Sequence, residues 1–297
     1  MGKIIPTGKS WFSGGGLMDM GLMEGGVDII QSHDLDKRAT RAMIANEKIF
    51  GHKIVNGDVS DALAKQQPGS HVNFFTWPCK KYSTMADIHG TRTGEELFLH
   101  ALRLQCLEKN EMYVLENVPG MTKFKVVMEA FTSLPDYYVT VICPVNASNW
   151  LPQNRERLII FGTRKPFNVS APTKARNIPT IKSILERNPK VKLNPSVISR
   201  IKGEYRDMPI IVDPSDPHSI APTCVAHYAK DMGTRMVKDK RFRYGLRPFT
   251  YREYARLQGV PDNYILPDNH YAYELVGNGV ARPMARWIGK QVVKYFN

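Results

Sequence analysis

Cysteine is scarce in this chain, and the four that occur, Cys79, Cys106, Cys143 and Cys224, stand far apart, with no CxxC pair and no histidine at metal-ligand spacing. That excludes a zinc finger or a disulfide framework as the organising device. No apolar run approaches the roughly 20 residues that cross a bilayer, and the opening residues lack the apolar stretch of a signal peptide. The expectation is a protein without metal or membrane, in a reducing, cytoplasmic compartment where a free thiol survives as a catalyst. Low-complexity tracts and internal repeats are absent too, which argues against disorder and against a solenoid. Acidic residues are outnumbered, 28 against 41 Lys and Arg, and the net charge of +13 is spread along the chain rather than gathered in a tail. Such a balance favours a polyanionic partner, most simply nucleic acid, the alternative being a basic surface that only aids solubility. With 42% hydrophobic residues, 297 residues can bury one large domain, or a large and a small one.

From residue 4 to about residue 164, short apolar runs at 27–31, 53–56, 72–76, 113–115, 138–142 and 158–162 alternate with longer mixed segments. This rhythm predicts an α/β sheet with crossover helices. Residues 95–108 carry Leu97, Phe98, Ala101, Leu102 and Leu104 at helical spacing, and residues 123–134 repeat the habit. Beyond residue 165, Pro, Asn, Lys and Arg crowd the chain and the rhythm fades. A second, smaller, basic domain is therefore expected over residues 165–246. Regularity returns at 250–257, opened by the capping-box pair Thr250 and Glu253, and at an amphipathic helix over 281–295. The segment 247–297 is expected to return to the first domain, residues 1–164.

Several strand ends carry chemistry. Phe12 and Ser13 lead into Gly14, Gly15 and Gly16, between the first strand and a helix at 17–24. Glycines there let backbone approach a nucleotide at the carboxyl edge of an open sheet; a glycine-rich turn with no ligand is the plainer reading. The next strand ends at Asp34, where an acid meets ribose hydroxyls in Rossmann-like sheets, and the following one ends in Gly57 and Asp58. Either acid alone can be a helix cap or turn residue. The fourth strand runs into Trp77, Pro78 and Cys79, followed by Lys80, Lys81, Tyr82 and Ser83. Positive charge beside Cys79 favours its thiolate, whereas Cys106 and Cys143 read as inert core residues. The polar, glycine-punctuated residues 84–93 have the composition of a lid. Glu116, Asn117 and Val118 end the fifth strand, and Glu116 can protonate a bound base or sit in a solvated loop. Arg155 and Arg157, two apart on a strand, can address one polar target, or join a surface salt-bridge ladder through Glu156.

Taken in order, these segments resemble the cytosine-C5 DNA methyltransferase family over almost the whole chain. Residues 12–16 resemble its cofactor loop, Pro78 and Cys79 its nucleophile motif, residues 116–118 its Glu-Asn-Val motif, and residues 153–157 its Gln-x-Arg-x-Arg motif. In the tail, Arg252, Glu253 and residues 256–259 resemble the motif before the final helix, and residues 277–280 its Gly-Asn-Ser-Val segment. The resemblance implies a Rossmann-like S-adenosylmethionine-dependent domain with a small inserted target-recognition domain. Phe12, Ser13, Gly14, Gly16, Asp34, Leu35, Asp58, Val59, Pro78, Asn278 and Val280 would then hold S-adenosylmethionine. Cys79 would add to C6 of a flipped cytosine while Glu116 serves N3 and the exocyclic amine. Arg157 would hold O2 and Arg155 orient the neighbouring loop. Lys80, Lys81, Ser83, Arg92, Gln153 and Thr223 would contact double-stranded DNA, Thr223 through a phosphate, while Cys224 is structural. A monomeric enzyme of a bacterial or phage-infected cell is implied. The sequence departs from the family at Lys80, where glutamine is usual, at Leu17, which takes the place of the loop's last glycine, and at Gly279, which replaces serine. An acidic derivative of S-adenosylmethionine as donor, RNA as substrate, and a non-catalytic DNA-binding relative are the alternatives.

Overall fold

The computed structural model describes residues 2–78 and 97–297. The chain divides into two compact units: the first holds residues 1–146, 156–172 and 284–297, the second residues 147–155 and 173–283.

The first unit is built on a seven-stranded sheet, β1 (Thr7–Trp11), β2 (Asp28–Asp34), β3 (Lys53–Asn56), β4 (Val72–Phe75), β5 (Met112–Asn117), β6 (Tyr138–Asn146) and β7 (Glu156–Thr163), in the order β3-β2-β1-β4-β5-β7-β6. Strands β1 to β5 are parallel, and β7 runs antiparallel between β5 and β6. The chain winds outward one way from β1 through β2 to β3 and the other way through β4 to β5, so the switch point falls between β1 and β4, where open α/β sheets bind ligands. β5 is buried along its full length and β7 at all but its first residue, as sheet-centre strands should be. Helices α1 (Leu17–Glu24), α2 (Lys37–Ala45), α3 (Leu97–Glu108), α4 (Lys125–Thr132) and α7 (Arg282–Phe296) belong to this unit, α7 from Met284 onward. Trp11, Phe75, Trp77, Phe98, Leu104, Tyr113, Leu115, Phe131 and Ile160 join in one apolar core. Where α1 ends, a Cβ on Gly25 would lie 2.7 Å from the Gly289 backbone of α7, so glycine at both positions lets the two helices meet backbone to backbone.

The expected strands are all present, and those at 113–115, 138–142 and 158–162 are longer than their apolar runs. Two expectations fail. Cys106 and Cys143 are exposed rather than buried in the core, because one sits on the outer side of α3 and the other on the edge strand β6. The return to the first unit comes at Met284, not at residue 247.

The second unit carries only short strands, β8 (Ile210–Val212), β9 (Arg235–Lys238) and β10 (Leu246–Pro248), in one three-stranded sheet. Two helices of this unit, α5 (Tyr251–Leu257) and α6 (Tyr271–Asn278), follow β10. The expected capping box opens α5: the Thr250 hydroxyl accepts from the Glu253 N–H while the Glu253 carboxylate accepts from the Thr250 N–H. Among the described residues, no helix is long and apolar enough to cross a membrane.

Candidate active site

In the first unit, the sequence-predicted groups gather along one edge of the sheet, because β1 to β5 all end there and the antiparallel β7 begins there. Asp58 follows β3, Asp34 ends β2, residues 12–16 follow β1, and Pro78 follows β4. Glu116 and Asn117 close β5 opposite Ile159 and Leu158, so Arg157 stands at the same edge. Cys79, Lys80, Lys81, Ser83, Arg92 and the expected lid at 84–93 lie outside the described residues.

The glycine-rich turn divides its labour. Phe12 adopts φ 62°, a left-handed conformation that a bulky residue rarely takes without a functional reason. Gly14, at φ +55°, has no atom within 4 Å of where a Cβ would stand, which leaves room for a ligand to approach its backbone. Gly16, at φ +72°, would drive a Cβ to 2.6 Å from the Phe50 ring, so packing and not ligand approach demands glycine there. Ser13 turns inward: its hydroxyl donates to the Ser10 carbonyl and accepts from the His33 N–H, and its own N–H bonds the His33 carbonyl. Its hydroxyl and N–H therefore serve the β1–β2 junction. Val59, which follows Asp58, has its side chain buried in the apolar core.

Asp34 accepts from the Gly14 N–H at 2.7 Å and the Asp36 N–H at 2.8 Å, one bond on each carboxylate oxygen. Each oxygen keeps a second lone pair, which suits the two hydroxyls of a ribose. Burial raises its pKa above the usual 3.8, partly offset by those two N–H groups. Leu35 beside it is an exposed apolar side chain that can flank an adenine ring. Asp58 is held well ionised by Ser60, whose N–H bonds its carboxylate at 2.8 Å, leaving acceptor capacity for an exocyclic amine. The open backbone at Gly14, two acids and an apolar flank fit S-adenosylmethionine.

Arg157 and Glu116 form a buried ion pair, Nε to Oε1 at 2.8 Å, and a second Arg157 nitrogen donates to the Glu156 carbonyl at 2.6 Å. The charge-assisted bond fixes both side chains at the sheet edge. Sequence reasoning overlooked Asn117, whose amide donates to the Trp77 carbonyl at 3.2 Å and so ties the end of β5 to the residue before Pro78. It also overlooked Thr76, whose hydroxyl donates to the Phe12 carbonyl at 3.0 Å and joins the ends of β4 and β1. Asn117 was visible inside the Glu-Asn-Val motif; Thr76 carried no signal.

Five further positions lie in the second unit. Arg155 precedes β7 and is fully buried, donating to the carbonyls of Cys224 at 2.8 Å, Gly277 at 2.9 Å and Gly279 at 2.7 Å. Arg155 and Arg157 therefore do not address one target, which corrects that expectation: one organises backbone, the other pairs with Glu116. Gln153 is also fully buried, its amide nitrogen bonded to the Leu257 carbonyl and its oxygen to the Cys224 N–H. An amide so occupied is not presented to DNA, and the expected contact is corrected to a structural one. Thr223 is half-buried, and its hydroxyl donates to the Asn154 carbonyl at 2.7 Å. Asn278 is exposed at the end of α6, and Val280 is buried.

A family model described as C-5 cytosine-specific DNA methylase matches residues 7–294. The chain is 27% identical to the type II methyltransferase M.Bsp6I of Bacillus sp. (strain RFL6), covering 96% of this chain and 98% of that protein. It is 29% identical to the type II methyltransferase M.HpaII of Haemophilus parainfluenzae, over 73% of this chain and 70% of that one. Among solved structures, the Entamoeba histolytica methyltransferase EhMeth superposes with a TM-score of 0.80 at 17% identity, covering 99% of both chains. The S. pombe Dnmt2 methyltransferase gives 0.75 at 18% identity, over 98% of this chain and 99% of that one.

Proposed function

The chain belongs to the C-5 cytosine-specific DNA methylase family, and from that premise we propose how its residues transfer a methyl group to carbon 5 of a cytosine flipped out of duplex DNA. The observation that carries the proposal is the buried Glu116–Arg157 pair standing at the same sheet edge as Pro78 and the open backbone of Gly14.

Carbon 5 of cytosine is a weak nucleophile. The Cys79 thiol gives up its proton and adds to C6 as the thiolate, electrons move toward N3, and Glu116, having taken up a proton in exchange, delivers it to N3. Arg157, already locked by Glu116, donates to O2 and keeps the ring in register. S-adenosylmethionine, when bound, supplies the electrophilic methyl group. Asp34 would hold its ribose and Asp58 its adenine amine, beside the open backbone of Gly14. After transfer the C5 proton passes to water, its electron pair re-forms the C5–C6 double bond as the Cys79 thiolate is expelled from C6, and N3 returns its proton to Glu116. Asn117 and Thr76 hold the neighbouring strand ends at fixed spacing, so that the residues beyond Pro78 start from a defined point. The basic second unit meets the DNA, and the reading extends to a monomer acting in the cytoplasm of a bacterial or phage-infected cell, in the manner of restriction-modification methyltransferases.

The test uses duplex DNA with 5-fluorocytosine at the target. Fluorine cannot leave as the proton does, so a complex that survives denaturation should accumulate after transfer. Cys79→Ser should lose both turnover and trapping, because a serine hydroxyl is hardly ionised near neutral pH. An active or trappable Cys79→Ser protein would refute the mechanism. Turnover on RNA but not on duplex DNA would refute the substrate.

A further inference from the structure

Residues 221–225 form a strap in the second unit that starts on backbone pairing and ends held largely by side chains. Ala221 pairs with the 152–154 backbone, its N–H on the Pro152 carbonyl and its carbonyl on the Asn154 N–H. Beyond it the ladder stops. The Cys224 N–H donates to the Gln153 side chain at 2.9 Å, and the Cys224 carbonyl accepts from Arg155 at 2.8 Å. The Tyr254 hydroxyl accepts the Val225 N–H at 2.5 Å and donates to the Val225 carbonyl at 3.1 Å, a carbonyl that also accepts from the Tyr228 N–H at 3.3 Å.

Tyr254 is fully buried, and its ring lies flat on Tyr228, with centroids 4.8 Å apart and planes 6° from parallel. The hydroxyl is therefore delivered by a rigid stack. Space on the other side of the strap is kept by Gly277, where a Cβ would lie 2.5 Å from the backbone of Val225 and Ala226. Of the N–H groups in the strap, those of Ala221, Cys224 and Val225 are engaged and Pro222 has none. The Thr223 N–H takes no partner among the described residues. The Thr223 hydroxyl, meanwhile, has given its one proton to the Asn154 carbonyl.

We propose that Tyr254 is a positioning residue for DNA binding: its hydroxyl fixes the strap so that the main-chain N–H of Thr223, not the threonine hydroxyl, is presented to a DNA phosphate. This rests on the reading that the chain methylates DNA and that the strap faces it. A phosphate oxygen accepts and cannot donate, so a hydroxyl whose proton is spent has nothing to offer it, whereas a free N–H held in place does.

The test begins from a duplex that the wild-type enzyme methylates, with one methylphosphonate moved along the target strand. At one phosphate the wild-type KM for DNA should rise about tenfold, the scale of one hydrogen bond to a charged group. Tyr254→Phe, which keeps the ring stack, should raise KM for unmodified DNA about tenfold, with kcat and S-adenosylmethionine affinity within about twofold of wild type. At the sensitive phosphate it should then lose less than about twofold more, because the contact is already gone. Both enzymes are compared well below their melting temperatures. Thr223→Ala, at a half-buried site that should fold normally, keeps the N–H and should keep the full methylphosphonate penalty. A folded Tyr254→Phe protein with wild-type KM, or one that retains the full penalty, overturns the positioning role. Loss of the penalty in Thr223→Ala overturns the N–H as donor. If no phosphate matters to a wild-type enzyme that methylates the duplex, the DNA-facing reading of the strap fails, and the proposal with it.

Discussion

The two units of this chain are held together in different ways. In the first, backbone groups satisfy one another along seven strands, and polar side chains at the strand ends are left for chemistry. In the second, strands of three or four residues satisfy little, and buried side chains take over: Gln153, Arg155 and Tyr254 all end on main-chain groups. A ladder tolerates the loss of one side chain, because the next rung holds. A loop pinned by side chains does not, so polar deletions should cost more in the second unit than in the first.

Matched substitutions of buried cations test that difference. The Arg247 guanidinium is fully buried and bonds Asp239 at 2.7 Å and both oxygens of Glu253 at 2.7 and 2.8 Å. Arg247→Met would leave the buried Glu253 carboxylate without a cation, while Asp239 keeps Arg241 at 2.7 Å, and should cost about 3–5 kcal/mol in denaturant unfolding. In the first unit, Lys9 on β1 bonds Glu108 on α3 at 2.6 Å, but the Asn73 amide also donates to that carboxylate, at 2.9 Å. Burial lowers the Lys9 pKa against the pull of Glu108. Lys9→Met should therefore cost less, about 1–3 kcal/mol. Equal losses would erase the contrast.

The smallest expected effect concerns the cofactor edge. Burial holds the Asp34 carboxyl above its usual range, and ribose hydroxyls need the ionised form. Affinity for S-adenosylmethionine should be full above that raised pKa and decline as pH falls through it, earlier than for an ordinary aspartate. Asp34→Asn should bind about tenfold more weakly near pH 7 and show a flatter acid limb, as measured by calorimetry. A wild-type curve with no acid limb down to about pH 4 would remove Asp34 from the ribose.

The same contrast explains what could be read from the sequence. Strand β3 and helix α1 have the bounds that their apolar runs predict, and Glu116 and Asp34 end strands as expected. The capping box at Thr250 was legible because it is written in two residues three apart. Exposure of Cys143 was not, since periodicity cannot say which strand will be an edge. Gln153 was read as facing DNA because motif spacing carries no information about which way an amide turns. The end of the second unit was misplaced because residues 247–283 regain helical periodicity, which looks the same whichever body the helices join.

One hydrogen-bonded pair at the margin of the first unit bears on gene order. The Asn297 side chain accepts from the Ile4 N–H at 2.9 Å and donates to the Ile4 carbonyl at 3.0 Å. Two positions separated by nearly the whole sequence are thus neighbours, and a linker of a few residues can splice them. Nothing in the sheet then requires the glycine loop to be translated before the glutamate strand or the final helix. A circular permutant, opened in the exposed turn at residues 214–218 with residue 297 spliced to residue 4, should still fold and methylate. Loss of the seven-stranded sheet in such a permutant, judged by circular dichroism, would show that translation order matters after all.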